Sequence, residues 1–181
     1  MVGLYPQLLG SAWNDLHEAV RRLHADTASV QATGSFRICH GNGRLARCLL
    51  GLLGMPPAGE DVPTRLIISP WGDGEKWSRT FGGRPLITTQ WPRGRGVLAE
   101  RLGALELRFR LKVQDGALIY RQTGVVLRLG PFPIPLPGRF APQVTAREEP
   151  GDGPNQTRVS VQVVLPLIGL LISYHGGMAR E

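Results

Sequence analysis

The sequence predicts an α+β protein that is mainly antiparallel β, a curved meander sheet or half-barrel of about ten strands with N-terminal helices packed on it. Three observations lead there. Apolar and polar residues alternate with period two in segment after segment between residues 62 and 176, short turns rich in Gly, Asn and Asp join those segments, and helical spacing is confined to residues 1–60. At 181 residues the chain is read as a single domain, 1–181, long enough for one proper core.

Leu4 to Leu9 suits a helical turn or two before Gly10, and Ser11 or Asn14 is placed to cap a helix running to about His24. Trp13, Leu16, Val20 and Leu23 fall on one stripe of that helix and must bury against something, with His17 and His24 expected as surface or rim residues beside it. From Ser29 to Cys39 the pattern becomes strict alternation, with Val30, Ala32, Gly34, Phe36 and Ile38 inward. His40-Gly41-Asn42-Gly43 lacks the ending and spacing of a nucleotide-binding loop and reads as a turn. Arg44 to Leu53 then forms a leucine-rich helix stopped by Gly54 and Pro56-Pro57. Its wide apolar surface suits a plug over the mouth of a sheet, a gate, or a contact with a membrane or protein.

The remainder reads as a meander: Thr64 to Pro70, Glu75 to Phe81, Arg84 to Trp91 and Val97 to Leu102, with turns at Gly72-Asp73-Gly74, Gly82-Gly83, Pro92 to Gly96 and Gly103. A long hairpin follows from Ala104 to Leu129. Leu105, Leu107, Phe109, Leu111 and Val113 form its dry face and Glu106, Arg108, Arg110 and Lys112 its wet face, while Asp115-Gly116 supplies the positive φ angles of a two-residue turn. Leu118, Tyr120 and Gln122 return opposite Val113, Leu111 and Phe109. Pro131, Pro133, Pro135 and Pro137 cannot donate ladder hydrogen bonds, so Gly130 to Gly138 is expected along an edge. Phe140 to Glu148, Thr157 to Leu165 and Ile168 to His175 complete the strands, and Pro150 to Gln156 is an exposed loop.

The hydrophobic fraction is 42% and the charged fraction 19%, as in water-soluble globular chains. No run approaches the roughly 20 apolar residues of a membrane helix, and the N-terminus lacks a signal-peptide pattern, so a cytoplasmic location is expected. Of the 21 basic residues only Lys76 and Lys112 are lysines, and the arginines behind the net charge of +7 are dispersed over strand faces. They carry no sequence-specific nucleic-acid footprint. Cys39 and Cys48 have no zinc spacing and make no disulfide framework; both are expected as buried small hydrophobes, and no cofactor or metal is implied.

Several stretches resemble one family when taken together: Leu4-Tyr5 with the first helix, Leu45-Ala46-Arg47 through Leu53-Gly54-Met55-Pro56-Pro57-Ala58-Gly59, Trp77-x-Arg79-x-Phe81-Gly82, Glu100-Arg101-x-Gly103, and Leu165-Pro166-Leu167-Ile168-Gly169-Leu170. Over nearly its whole length the chain is similar to an uncharacterised bacterial family, domain of unknown function 4166. The resemblance implies no particular activity. Similar domains occur alone or after a nucleotide-binding dehydrogenase-like domain, but a dehydrogenase role does not carry over to this chain; the macromolecular partners expected are a second copy of the chain or a dehydrogenase-like protein.

Turn lengths let the register be followed across the meander. Trp77 falls opposite Thr88 and Arg79 opposite Leu86; Thr88 then faces Glu100, and Glu100 faces Leu105. Trp77, Arg79, Phe81, Glu100 and Gln122 therefore share the inner face with Phe109 and Tyr120. An Arg and a Glu facing a core are costly unless paired or wetted. Two readings stand: an internal Arg79–Glu100 bridge, or a pocket for a small, largely apolar, lipid-like ligand in which Trp77, Phe109 and Tyr120 supply contact and Arg79, Glu100 and Gln122 set orientation. The expected function is a non-catalytic binding module. The alternatives are a small pocket enzyme using Glu100 as acid or base, with His175 a further candidate, and an interaction or membrane-peripheral domain using the 44–53 helix. Glu148 and Glu149 point to opposite faces of a strand and are no catalytic pair.

Overall fold

The computed structural model of the chain describes residues 3–25, 28–94, 96–153 and 155–181. Helix α1 (Leu4–Leu9), a 3-10 segment (Gly10–Asp15) and helix α2 (Glu18–His24) lead into strand β1 (Val30–His40), and helix α3 (Arg44–Leu52) separates β1 from β2 (Gly59–Trp71). There follow β3 (Gly74–Phe81), β4 (Arg84–Pro92), β5 (Val97–Leu102), β6 (Leu105–Gln114), β7 (Ala117–Leu129), β8 (Phe132–Pro135), β9 (Gln143–Pro150), β10 (Gln156–Leu165) and β11 (Gly169–Arg180). Strands make up 59% of the described residues and helices 16%.

Each strand pairs antiparallel with its sequence neighbour, β7 skips β8 to pair with β9, and β11 returns to β1. Ten strands thus form a closed barrel, with β8 attached to the edge of β7. Closure goes further than a half-barrel, because it satisfies the two edges that an open meander would leave unpaired. The closing seam is built from glycines: Gly34 pairs with Met178, Ser35 with Gly177 and Phe36 with Gly176. A Cβ on Gly34 would lie 2.0 Å from the Gly177 carbonyl oxygen, and one on Gly176 would lie 2.1 Å from that of Ser35, so the backbones approach as only glycine permits.

The barrel has two unlike ends. Chain direction puts α2 where β1 begins and α3 where it ends. At the first end α1 packs against β4 and β6, and α2 against β1, β9 and β10, burying Tyr5, Leu16, Val20 and Leu23. At the other end α3 lies beside β11, burying Ala46 and Leu50. Phe36, Ile38, Leu66, Phe81, Phe109 and Leu118 are buried in one core inside the wall.

The alternating segments take the faces expected of them, and Asp115 and Gly116 have φ of 51° and 75°. Two loop registers differ by two residues: Glu100 pairs with Gln90 and not Thr88, and with Leu107 and not Leu105. A shift of two preserves the face, so Trp77, Arg79, Phe81, Glu100, Phe109 and Tyr120 stay inside, and only Gln122 leaves the expected inner set. The proline segment does form an edge strand. Leu136 donates to Val125, so on alternation Pro133 and Pro135 point their nitrogens away from β7, where no N–H is offered to another strand.

Four expectations are corrected. The helix to His24 is broken, a 3-10 segment coming first and His17 capping α2 by accepting from the Ala19 N–H at 3.3 Å. His24 is buried rather than on the rim. Cys39 and Cys48 are both exposed, since Cys39 takes the outward phase of β1 and Cys48 the outer side of α3. Glu106, on the wet face of the hairpin, is fully buried beneath Arg93, Arg108 and Arg128. Arg95 in the expected 92–96 turn and Pro154 in the expected 150–156 loop lie outside the described residues, as do Met1 and Val2.

Candidate functional site

A cavity of about 120 Å³ lies inside the barrel and is lined mainly by apolar side chains from most of its strands. Trp77, Arg79, Glu100, Phe109 and Tyr120 all line it. The alternation of β3, β5, β6 and β7 aims them inward. Gln122 is placed differently: its Nε2 donates to the Pro142 carbonyl at 2.8 Å and its Oε1 accepts from the Val144 N–H at 2.7 Å. It bridges β7 to the start of β9 beyond their last paired residues, Arg121 and Thr145, standing in for missing ladder bonds. His175 is exposed on β11, away from the interior.

Arg79 is the cavity's cation. Its Nη1 donates to Thr88 Oγ1 at 3.0 Å, its guanidinium lies 4.6 Å from the centre of the Trp77 ring, and Glu100 Oε1 is 3.6 Å away. That last distance is an ion pair beyond hydrogen-bond reach. Among the described residues the guanidinium makes one hydrogen bond, so most of its donor fork is unspent. Both side chains keep 15% of their surface accessible and line the cavity wall. Burial opposes the charge of Arg79, but Glu100 and the neighbouring tyrosines outweigh it and raise its pKa.

The cavity floor is a connected polar chain. Tyr5 Oη donates to Gln90 Oε1 at 2.7 Å and lies 3.1 Å from Tyr120 Oη, which donates to Glu148 Oε1 at 2.7 Å. Glu148 Oε2 meets His24 Nε2 at 2.6 Å. Burial alone would raise the Glu148 pKa, but the His24 charge and hydrogen bond, with help from Tyr120, hold it below the usual carboxylate range. Burial next to Glu148 raises the pKa of both Tyr5 and Tyr120, keeping them neutral donors. Beside them Glu75 accepts from Trp77 Nε1 at 3.0 Å, and burial raises its pKa more than that bond lowers it. His24 Nδ1 is buried without a hydrogen-bond partner among the described residues.

Apart from Tyr120, sequence reasoning missed this floor. Gln90 shares the inward phase of Leu86 and Thr88, and Glu75 that of Trp77, so both were readable from alternation. Tyr5 and His24 carry no local signal, because they are interior only once their helices enter the barrel end. The lining offers no Ser, Cys, His or Lys among the described residues, and His24 and Tyr120 hold Glu148 ionised. No group of three His, Cys, Asp or Glu among the described residues is placed to hold a metal ion. No helix among them is long and apolar enough to cross a membrane.

Fold and interior together define a closed antiparallel β-barrel with helices at its ends and a mainly apolar cavity carrying a few convergent polar groups. The chain belongs to the family described as Domain of unknown function (DUF4166), whose sequence profile matches residues 16–178. No curated protein matches it. Among solved structures it is similar to a protein of unknown function of the DUF3598 family from Nostoc punctiforme PCC 73102, with 13% sequence identity and a TM-score of 0.49. The match covers 92% of this chain and 50% of that one, so the chain spans about half the length of that relative.

Proposed function

We propose that the protein is a non-catalytic binding module that takes a small, largely apolar ligand into the barrel and holds the ligand's polar end on Arg79. The observation that carries this reading is a half-buried guanidinium with unspent donors in the wall of an apolar cavity. At about 120 Å³ the space is near that of an engineered apolar cavity that accepts benzene, so the ligand that fits without rearrangement is compact. A longer, lipid-like one would displace Met55 or Met178, whose flexible side chains line the cavity.

The experiment is native mass spectrometry of protein purified from its own host, beside melting curves for Arg79→Met, Glu100→Gln and the double variant. Ligand retention is expected to fall at least about ten-fold in Arg79→Met, the scale of one lost hydrogen bond to a charged group, and to be unchanged in Arg110→Met on the exposed face. The coupling between positions 79 and 100 is expected near 1 kcal/mol, well under the roughly 3–5 kcal/mol lost on breaking a dry buried pair. Large single losses rescued in the double variant, with no retained molecule, would refute the reading.

A further inference from the structure

The α3 end of the barrel carries an exposed surface that the cavity does not use. Leu45 and Leu52 on α3 are 66% and 83% exposed, and Leu167 in the β10–β11 turn is 68% exposed. All three lie at the same end of the barrel, where the Gly41 N–H bonds to the Leu171 carbonyl and sets the start of α3, with Leu45, beside the first residues of β11. At about 100° per residue Leu45, Cys48 and Leu52 fall on one arc of α3, with Arg44 about 40° and Arg47 about 100° beyond its Cys48 edge. Neither arginine has an ion pair among the described residues. The turns at this end, 82–83, 103–104 and 166–168, contain no acid, whereas the turns at the opposite end carry Asp73, Asp115 and Asp152. Glu60 and Asp61 do stand near α3, where β2 begins, but Glu60 is paired with Arg37.

We propose that this end docks on an anionic lipid bilayer, with Leu45, Leu52 and Leu167 entering the headgroup boundary and Arg44 and Arg47 meeting lipid phosphates. Leucine tips bordered by unpaired arginines match that surface in both chemistry and sign, on a chain of net charge +7. A second copy fits less well, since a two-fold contact would set the same arginines against each other. The inference stands whether or not the cavity holds a ligand.

The test is co-sedimentation of the full chain with phosphatidylcholine vesicles, with and without phosphatidylglycerol. Binding is expected only with the anionic lipid and is expected to weaken as salt rises. Leu45→Ser/Leu52→Ser should lower the partition coefficient at least about ten-fold, and Arg44→Gln/Arg47→Gln about five-fold per arginine. Unchanged melting would show that the variants are folded. A fluorophore on Cys48 in a Cys39→Ser background should shift to the blue on the same anionic vesicles. Equal binding to both vesicle types, no binding to either, or a dimer that the leucine double variant converts to monomer would each overturn the proposal.

Discussion

Glu75, Glu106 and Glu148 are buried carboxylates tuned in opposite directions. For Glu106, burial raises the pKa, but hydrogen bonds from Arg108 at 2.9 Å and Arg128 at 2.5 Å, with the charge of Arg93, outweigh it and hold the group low. A carboxyl whose folded pKa lies below its unfolded value of about 4.3 contributes stability that is full above that value and is lost as pH falls through the folded one. Glu106 and Glu148 are of this kind. Glu75 has the opposite sign: its folded value is raised, so its contribution is full in acid and is lost as pH climbs through that value. Glu75→Gln, which still accepts from Trp77, is therefore expected to raise the melting temperature at neutral pH, with the gain shrinking in acid. Glu106→Gln is expected to cost about 1–2 kcal/mol at neutral pH, discounted because its arginines reach solvent, with the loss also shrinking in acid. Melting curves of both variants at neutral and acidic pH check the signs.

Glycine placement separates two kinds of element. Gly34 and Gly176 lie where β1 and β11 close the barrel, and a methyl at either would meet a backbone carbonyl oxygen first. Gly51 lies on the exposed side of α3 with nothing within 4 Å of a built Cβ. Gly176→Ala is expected to destabilise by at least about 1–3 kcal/mol, while Gly51→Ala gains about 0.5–1 kcal/mol from helix propensity. Urea unfolding of the two variants should show shifts of opposite sign. Equal shifts would mean that the seam yields more easily than the backbone contacts imply.

Closure makes the first and last strands of the barrel interdependent. β1 has β2 on one side and β11 on the other, and β10 likewise depends on β11 for one of its edges. A chain ending at Leu165 would keep nine barrel strands but expose long edges on β1 and β10, both rich in β-branched or aromatic residues. Such edges template pairing with other chains. The truncated protein is expected to elute as aggregate on gel filtration, where the full chain elutes as a discrete species. A monomeric, cooperatively melting truncation would show that closure is dispensable.

Inward and outward faces were legible because strand side chains alternate strictly. Trp77, Arg79, Glu100, Phe109 and Tyr120 could be assigned to one interior from turn lengths, and an error of two residues in a loop does no harm to parity. Pro133 and Pro135 marked an edge for the same local reason, the missing N–H. Tertiary structure alone decided the rest. His24 and Tyr5 become floor residues because their helices enter the barrel, Gln122 becomes a clasp because β7 and β9 part beside it, and Glu106 is buried on a wet face because three arginines converge over it. Each of these depends on which distant segments meet, and alternation within a strand carries no information about that.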